Sequence, residues 1–419
     1  MTCSFVPPYL LRRLAEVDVA AASSLATDEL IRAAREAAER RPTQVTAPPA
    51  WTVHTADNTE ELPGRPVRSF GDGDSGDVAV DEAAAGIIGS LALLSEVFGR
   101  SSYDDRGAPV SATVHYGRDY VNAFWDGTQL VFGDGDGRVF ERFTKPVDVL
   151  GHEFAHALTE HSAGLVYRDQ PGALNESMSD VFASCLKQRL LGQDVTEADW
   201  LIGAELFRPT VQARALRDMA APGTAYDDPQ LGRDPQVGHL DDYVQTDDDN
   251  GGVHLNSGIP NRAFHLASTA IGGRSWEGAG RIWMAALTGD VVRPDSDFVA
   301  FARATVAAAG DHADVVRQAW REVGVRPGEG VRVRRTGGFI GRSVEASVDL
   351  DSEDTRAGEL RDLLGRVGGR PVKGSAPYPD GFTYEFELEG ETRRVFERDL
   401  TPELRRIADL VLRSAAPDR

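Results

Sequence analysis

The stretch Val149-Leu150-Gly151-His152-Glu153-Phe154-Ala155-His156-Ala157-Leu158-Thr159-Glu160 carries apolar residues at helical spacing, part of a helix expected over 147–162. Residues four apart on a helix share a face, so His152 and His156 can hold one Zn²⁺ between them. Glu153, beside them, suits a general base rather than a ligand. A catalytic zinc site takes three protein ligands and keeps a position open, so a third ligand must come from a neighbouring element. Glu176, in Gly172-Ala173-Leu174-Asn175-Glu176-Ser177-Met178-Ser179-Asp180, lies on the next expected helix, 174–192, and can reach back. Asn175 and Asp180 stand one before and four after it, placed to accept hydrogen bonds from the outer nitrogens of the two imidazoles.

Outward from this pair the chain changes character twice. Helical spacing continues over 258–271, 279–288, 296–309 and 311–323, so 146–326 is a helical lobe. Residues 51–145 read as strands and turns, with Gly71-Asp72-Gly73-Asp74 and Gly133-Asp134-Gly135-Asp136-Gly137 as tight loops and one helix over about 80–98. After Arg326-Pro327-Gly328-Glu329-Gly330, a linker, Val344, Ala346, Val348 and Leu350 alternate with polar residues, as do Phe382, Tyr384, Phe386 and Leu388. With a helix starting at Thr401-Pro402, residues 331–413 form a small α/β domain. The fold class is α+β.

Residues 1–50 read as a helix over 27–41, capped by Thr27 and stopped by Pro42, then a proline-rich linker over 42–50. Such a segment is too small for a core of its own and must dock on the rest or be removed.

The chain has 419 residues and 45 bases against 66 acids, a net charge of −21. The excess lies in 51–330, with 43 acids against 23 bases, and disfavours nucleic acid or anionic lipid as a partner. No apolar run near the roughly 20 residues of a membrane span is evident. Cys3 and Cys185 are the only cysteines, so no disulfide framework is expected. The first ten residues put no base before an apolar stretch, unlike a secretory signal, and the expectation is synthesis as a cytoplasmic chain, with leaderless secretion open.

The two zinc-site stretches, with Ala163-Gly164-Leu165-Val166-Tyr167, Asn122-Ala123-Phe124-Trp125 and Asp249-Asn250-Gly251-Gly252-Val253-His254-Leu255-Asn256-Ser257-Gly258, resemble the thermolysin-like metallopeptidases over about 52–326. The resemblance implies a two-lobed fold with the zinc cleft between a β-rich and a helical lobe. It implies zinc held by His152, His156 and Glu176, and Glu153 activating a water to attack a peptide carbonyl. Tyr167 and His254 would stabilise the oxyanion, with Asp249 orienting His254. Asn122 and the Ala123 backbone would bind the substrate as an added strand, and Arg217, in Leu216-Arg217-Asp218-Met219, would hold a substrate carbonyl on the leaving-group side. Phe140, Phe143, Val149 and Leu216 would line the pocket beyond the scissile bond, favouring cleavage before a bulky apolar residue; from sequence they read equally as plain core. Where calcium-binding members carry a carboxylate, this chain has Lys187 next to a matching Asp148, so that calcium site is not expected. Asp134 and Asp136, and Asp247-Asp248-Asp249, look calcium-like, but acid-rich turns are usually solvated turns, so calcium is not assigned to them.

Pro7-Pro8-Tyr9-Leu10-Leu11 resembles the short pro-segment of the protealysin branch of that family, implying a zymogen cut between about 42 and 51. Cys3 could reach the zinc and silence it. Arg334-Arg335-Thr336-Gly337-Gly338-Phe339, Val348-Asp349-Leu350-Asp351 and Pro379-Asp380-Gly381-Phe382-Thr383-Tyr384 resemble emfourin, a protein inhibitor of such peptidases. The chain would then carry protease, pro-segment and inhibitor together, with peptide or protein substrates as its other partner. The competing reading is a regulatory binding protein, a metalloprotease fold occupied by its own segments with little or no turnover.

Overall fold

The computed structural model describes residues 4–37, 50–327, 330–337, 343–350, 354–367, 381–388 and 391–412. Contacts divide the chain after Val325 into two compact units.

In the larger unit, Trp51–Thr55, Arg65–Ser69, Val110–Val114, Ala123–Trp125 and Leu130–Phe132 form one five-stranded sheet. Trp51–Thr55 runs parallel to Val110–Val114, which runs parallel to Leu130–Phe132; Arg65–Ser69 closes one side antiparallel. Ala123–Trp125 pairs antiparallel with Leu130–Phe132 and lies at the other end of the sheet order. A short strand at a sheet edge presents free N–H and C=O groups, a template for an added strand.

Asp77 caps the helix Val78–Ala92 by accepting from the backbone N–H groups of Ala79 and Val80, and a π-turn over Leu93–Val97 extends it. Together Val78–Val97 are long and apolar enough to cross a membrane by length and composition, which the sequence reading missed. Here Val80, Ala83, Ala84 and Ile87 are buried in the protein core. The helical part holds Val147–Glu160, Asp169–Leu191, Gly258–Ile271, Ala279–Thr288, Phe298–Ala308 and Ala313–Glu322. The second of these begins five residues before its expected start at 174. Val147–Glu160 and Asp169–Leu191 approach closely because Gly151 has no side chain: a Cβ there would lie 3.0 Å from Leu186 Cδ2 and 3.1 Å from Ala183 Cα.

The N-terminal segment departs most from expectation. Its long helix runs Val19–Ala37 and is capped by Asp18, which accepts from the Ala20 N–H at 2.8 Å. Thr27 is therefore mid-helix. A shorter helix, Pro8–Ala15, precedes it and buries Leu10, Leu11 and Leu14 in the same core as the sheet and helices of the larger unit. Its proline at the start costs no hydrogen bond. The linker at 42–49 and Cys3 lie outside the described residues.

The smaller unit is an antiparallel sheet in the order Val344–Asp349, Gly330–Gly337, Phe382–Leu388, Glu391–Phe396, with helices Ala357–Val367 and Pro402–Leu412. Val331, Val333, Val348, Tyr384, Phe386 and Leu388 are buried with Leu404, Ile407 and Val411, as the alternation and the helix face require. The Leu404 N–H donates to Thr401 Oγ1, so Thr401 caps the last helix.

Candidate active site

Val147–Glu160 carries His152 and His156 with their Nε2 atoms 3.0 Å apart. Glu176, from Asp169–Leu191, brings Oε2 to 3.4 Å from His152 Nε2 and Oε1 to 3.6 Å from His156 Nε2. One ligand atom from each residue lies within 4.8 Å of the others, and all three residues are buried. Tetrahedral ligands at about 2 Å from a Zn²⁺ stand roughly 3.3 Å apart, so the spacing fits. The outer nitrogens fix the tautomers: Asp180 Oδ1 lies 2.8 Å from His152 Nδ1 and Asn175 Oδ1 lies 2.9 Å from His156 Nδ1. With Nδ1–H donating outward, two Nε2 lone pairs converge on one buried point beside a carboxylate, an arrangement that a cation resolves.

Asp180 is itself held. Arg217 donates to it from Nε at 2.8 Å and from Nη2 at 2.7 Å, and Asn261 Nδ2 donates at 2.8 Å. Burial alone would raise the Asp180 carboxyl, but Arg217 and then His152 bring it down to about 2. Asn261 was not singled out from sequence, where a lone asparagine on a helix gives no signal.

Glu153 is fully buried, and its carboxylate oxygens have no hydrogen-bond partner by ordinary geometry; the Trp125 backbone is an electrostatic neighbour. Burial pushes its carboxyl up to about 8, against the pull of His152. A carboxyl so placed suits proton transfer near neutral pH.

His254 sits past a stretch of left-handed backbone, Asp249 to Gly252, in which Gly251 has φ +86° and a Cβ would fall 2.1 Å from Asp169 Oδ1. Asp249 grips His254 twice, at Nδ1 (2.7 Å) and at the backbone N–H (3.0 Å). Burial works to lower the His254 pKa, but Asp249 and Glu176 raise it. The Tyr167 hydroxyl donates to Glu176 and lies 3.3 Å from His254 Nε2, so the two residues meet at the same carboxylate.

Asn122, Ala123 and Arg217, expected to bind a substrate strand, are engaged by the N-terminal segment. The Phe5 N–H donates to Ala123 O at 3.0 Å, and Ser4 pairs antiparallel with Phe124. Val6 N–H donates to Asn122 Oδ1 at 2.8 Å, and Asn122 Nδ2 donates to Val6 O at 3.2 Å. Arg217 Nη1 donates to the Phe5 carbonyl at 3.3 Å, with its guanidinium 4.8 Å from the Phe5 ring centre. The Phe5 ring meets His152 edge-on at 5.1 Å. Phe5 is fully buried in one apolar cluster with Phe140, Phe143, Val149 and Leu216. Of these four, Leu216 comes to the same small space as Phe5: a Cβ at Gly203 would lie 3.4 Å from both. Phe140 packs its ring on Phe143 and Phe207.

Asp28, Ser24 and Tyr120 were not singled out from sequence. Asp28 is a buried mid-helix carboxylate receiving the Tyr120 hydroxyl at 2.5 Å and Asn122 Nδ2 at 2.7 Å. Ser24 Oγ accepts from the Val121 N–H at 3.0 Å.

Lys187 Nζ lies 3.5 Å from Asp148, 2.7 Å from Asp199 and 2.6 Å from the Leu201 carbonyl, so an ammonium stands beside Asp148. Asp136 Oδ1 accepts from the N–H groups of Arg138, Val139 and Phe140, and Asp134 accepts from His115. Both are thus engaged in turn and ion-pair bonds. Asp247 and Asp248 pair with Arg168 and Arg12.

The model of the thermolysin metallopeptidase catalytic domain matches residues 50–160 and that of the thermolysin metallopeptidase alpha-helical domain matches 163–325. The emfourin model matches 333–412. An extracellular metalloprotease of Pectobacterium carotovorum subsp. carotovorum is 48% identical over 334 residues, covering 77% of this chain and 96% of that protein. Protease PrtS of Photorhabdus sp. (strain Az29) is 46% identical over 282 residues, covering 66% and 76%. The solved precursor of protealysin, a metalloproteinase from Serratia proteamaculans, superposes with a TM-score of 0.71 at 47% identity, covering 77% of this chain and 99% of its own. The chain belongs to the thermolysin family of zinc-dependent metalloendopeptidases and carries an emfourin domain at its C-terminal end.

Proposed function

We propose that the chain is a neutral endopeptidase made latent, with its N-terminal segment lying in the substrate path and its emfourin domain as a second restraint. His152, His156 and Glu176 would hold zinc, which when bound supplies a Lewis acid and an acidified water. Glu153 takes the proton from that water and delivers it to the leaving amine. Tyr167 and His254, whose protonated form Asp249 favours, donate to the oxyanion. Asn122 and Ala123 align the substrate backbone as an extra strand, and Arg217 holds the first carbonyl on the leaving side.

One observation carries the latent reading: Phe5 and Val6 take the hydrogen bonds of Ala123, Asn122 and Arg217 that a substrate would need. Phe5, buried beside Leu216, supports a preference for bulky apolar residues after the scissile bond. The same filled cleft also favours a second reading, a regulatory binding protein with little or no turnover.

Cleavage of an internally quenched peptide separates the two. It would be followed for the full chain, the chain lacking 331–419, the chain cut after the N-terminal segment, and Glu153→Ala, each with its zinc quantified. Turnover that appears on cutting, rises on deleting 331–419 and is absent in zinc-loaded Glu153→Ala supports the peptidase. No turnover from any zinc-loaded form establishes the binding role. A tethered inhibitor needs only modest affinity, because a short flexible linker that spans the gap supplies an effective concentration of roughly millimolar.

A further inference from the structure

The direction in which the N-terminal segment crosses the cleft matters as much as its presence. Along the edge strand, Val6 is bonded to Asn122, Phe5 to Ala123, and Ser4 pairs with Phe124. The next edge residue, Trp125, sets its backbone against the Glu153 carboxylate, and the Phe5 ring lies against His152. The Phe5 carbonyl goes to Arg217 and the Val6 carbonyl to Asn122, so Phe5 and Val6 are each bonded through both N–H and C=O. Ser4 is buried at 5% exposure and paired with Phe124, and its hydroxyl has no hydrogen-bond partner. This register sets the Ser4–Phe5 peptide bond at the step between Phe124 and Ala123, with its amide nitrogen bonded to Ala123 O on the anchored side.

We propose, on the reading of this cleft as a hydrolytic zinc site, that Ser4–Phe5 is itself a substrate bond and that the chain trims itself there while the rest of the N-terminal segment stays docked. Water adds across the bond: its oxygen goes to the Ser4 carbonyl carbon, which becomes a carboxylate. The C–N bond breaks, and a proton passed by Glu153 goes to the Phe5 nitrogen, which leaves as an amine. No other reactant is required. The new amine remains beside Ala123 O, because Val6 keeps Asn122 and because Asp28 and Ser24 hold the following helix on Asn122, Tyr120 and Val121. Trimming therefore leaves the cleft shut, and is separate from removal of the whole segment.

Intact mass and N-terminal sequencing of the zinc-loaded full chain test this. The expected result is a new N-terminus at Phe5, formed at a rate that a hundredfold dilution leaves unchanged, and absent in zinc-loaded Glu153→Ala. Metal-stripped chain gives a readout independent of turnover: the Phe5 and Val6 amides should exchange with solvent roughly a hundredfold slower than in an open chain. Protection at Val6 should be lost in Asn122→Ala. Fast exchange at both amides overturns the register. An intact Ser4–Phe5 bond in zinc-loaded chain whose cut form cleaves an added quenched peptide overturns the self-trimming and leaves the peptidase standing. Absence of peptide cleavage from every zinc-loaded form removes the peptidase reading and the self-trimming with it.

Discussion

Asn122 Nδ2 donates to the Asp28 carboxylate at 2.7 Å, joining the edge of the substrate cleft to the middle of the N-terminal segment's long helix. The Asn122 amide can make four hydrogen bonds, two given and two accepted. It makes all four here: Oδ1 accepts from Val6 and Ala123, and Nδ2 donates to Val6 O and Asp28. Three of those four bonds go to the N-terminal segment, two to Val6 and one to Asp28. The side chain that would align a substrate is thus saturated by two separate parts of the N-terminal segment.

Replacing Asp28 with alanine removes a buried carboxylate that receives two hydrogen bonds, each worth about 1.5–3 kcal/mol when one partner is charged. Asp28→Ala should raise peptide turnover by the uncut, zinc-loaded chain by roughly tenfold or more, since each 1.4 kcal/mol is a factor of ten. Once the segment has been cut away, turnover should match that of the unchanged protein. An uncut Asp28→Ala chain as silent as its parent would show that Phe5 and Val6 hold the cleft without help.

What could be read from sequence and what could not follow the same physical line. His152, His156, Glu176, Asn175 and Asp180 are legible because helical geometry turns spacing into shared faces, and two adjacent helices bring them together. Asn122, Ala123, Arg217 and Tyr167 required a family resemblance, because strand edges and loops carry no such rule. Asp28 was misplaced because the helix start was sought at Thr27, whereas Asp18 caps it and the Val19-Ala20-Ala21-Ala22 run that follows shows little apolar periodicity. Phe5 had no local signature: its importance lies in partners more than a hundred residues away.

Asp180 joins Arg217 to His152, so its charge should matter beyond its shape. Asp180→Asn keeps the volume but weakens the acceptor for His152 Nδ1–H and leaves Arg217 buried without its anion. Zinc affinity should fall roughly 10- to 100-fold, as for other partners of ligating histidines. Competition with a chelator of known affinity measures it. Unchanged affinity would mean that Arg217 and Asn261 need Asp180 more than the metal site does.

Lys187 and Asp148 make a nearly sealed pair, at 12% and 1% side-chain exposure. Burial pushes the Asp148 carboxyl up and Lys187 pulls it back. Lys187→Met should destabilise the larger unit by about 3 kcal/mol, the cost of stranding a buried charge. Pairing it with Asp148→Asn should recover much of the loss. Denaturant midpoints of the single and double variants decide this: equal losses in both would remove the ion pair as the cause.

The Gly133–Gly137 loop carries a different device. His115 lies between Asp134, 2.8 Å from its Nδ1, and Asp77, 3.1 Å from its Nε2, and Asp77 is also the cap of Val78–Ala92. The hydrogen bond to Asp134 raises the imidazole to about 9 against the opposing effect of burial, with Asp77 adding to the rise. In the unfolded chain a histidine titrates near 6.5. The folded value is the higher one, so the protonated imidazole stabilises the fold; the contribution is complete below about pH 6.5 and is lost as the pH rises through about 9. Because His115 and both acids are partly open to solvent, the loss should be on the order of 1–2 kcal/mol. Denaturant midpoints taken at pH 6.5 and pH 9.5 should differ by that much more in the unchanged chain than in His115→Gln. Equal pH dependence in the two proteins would mean that the helix cap and the glycine loop stand without the charged imidazole between them.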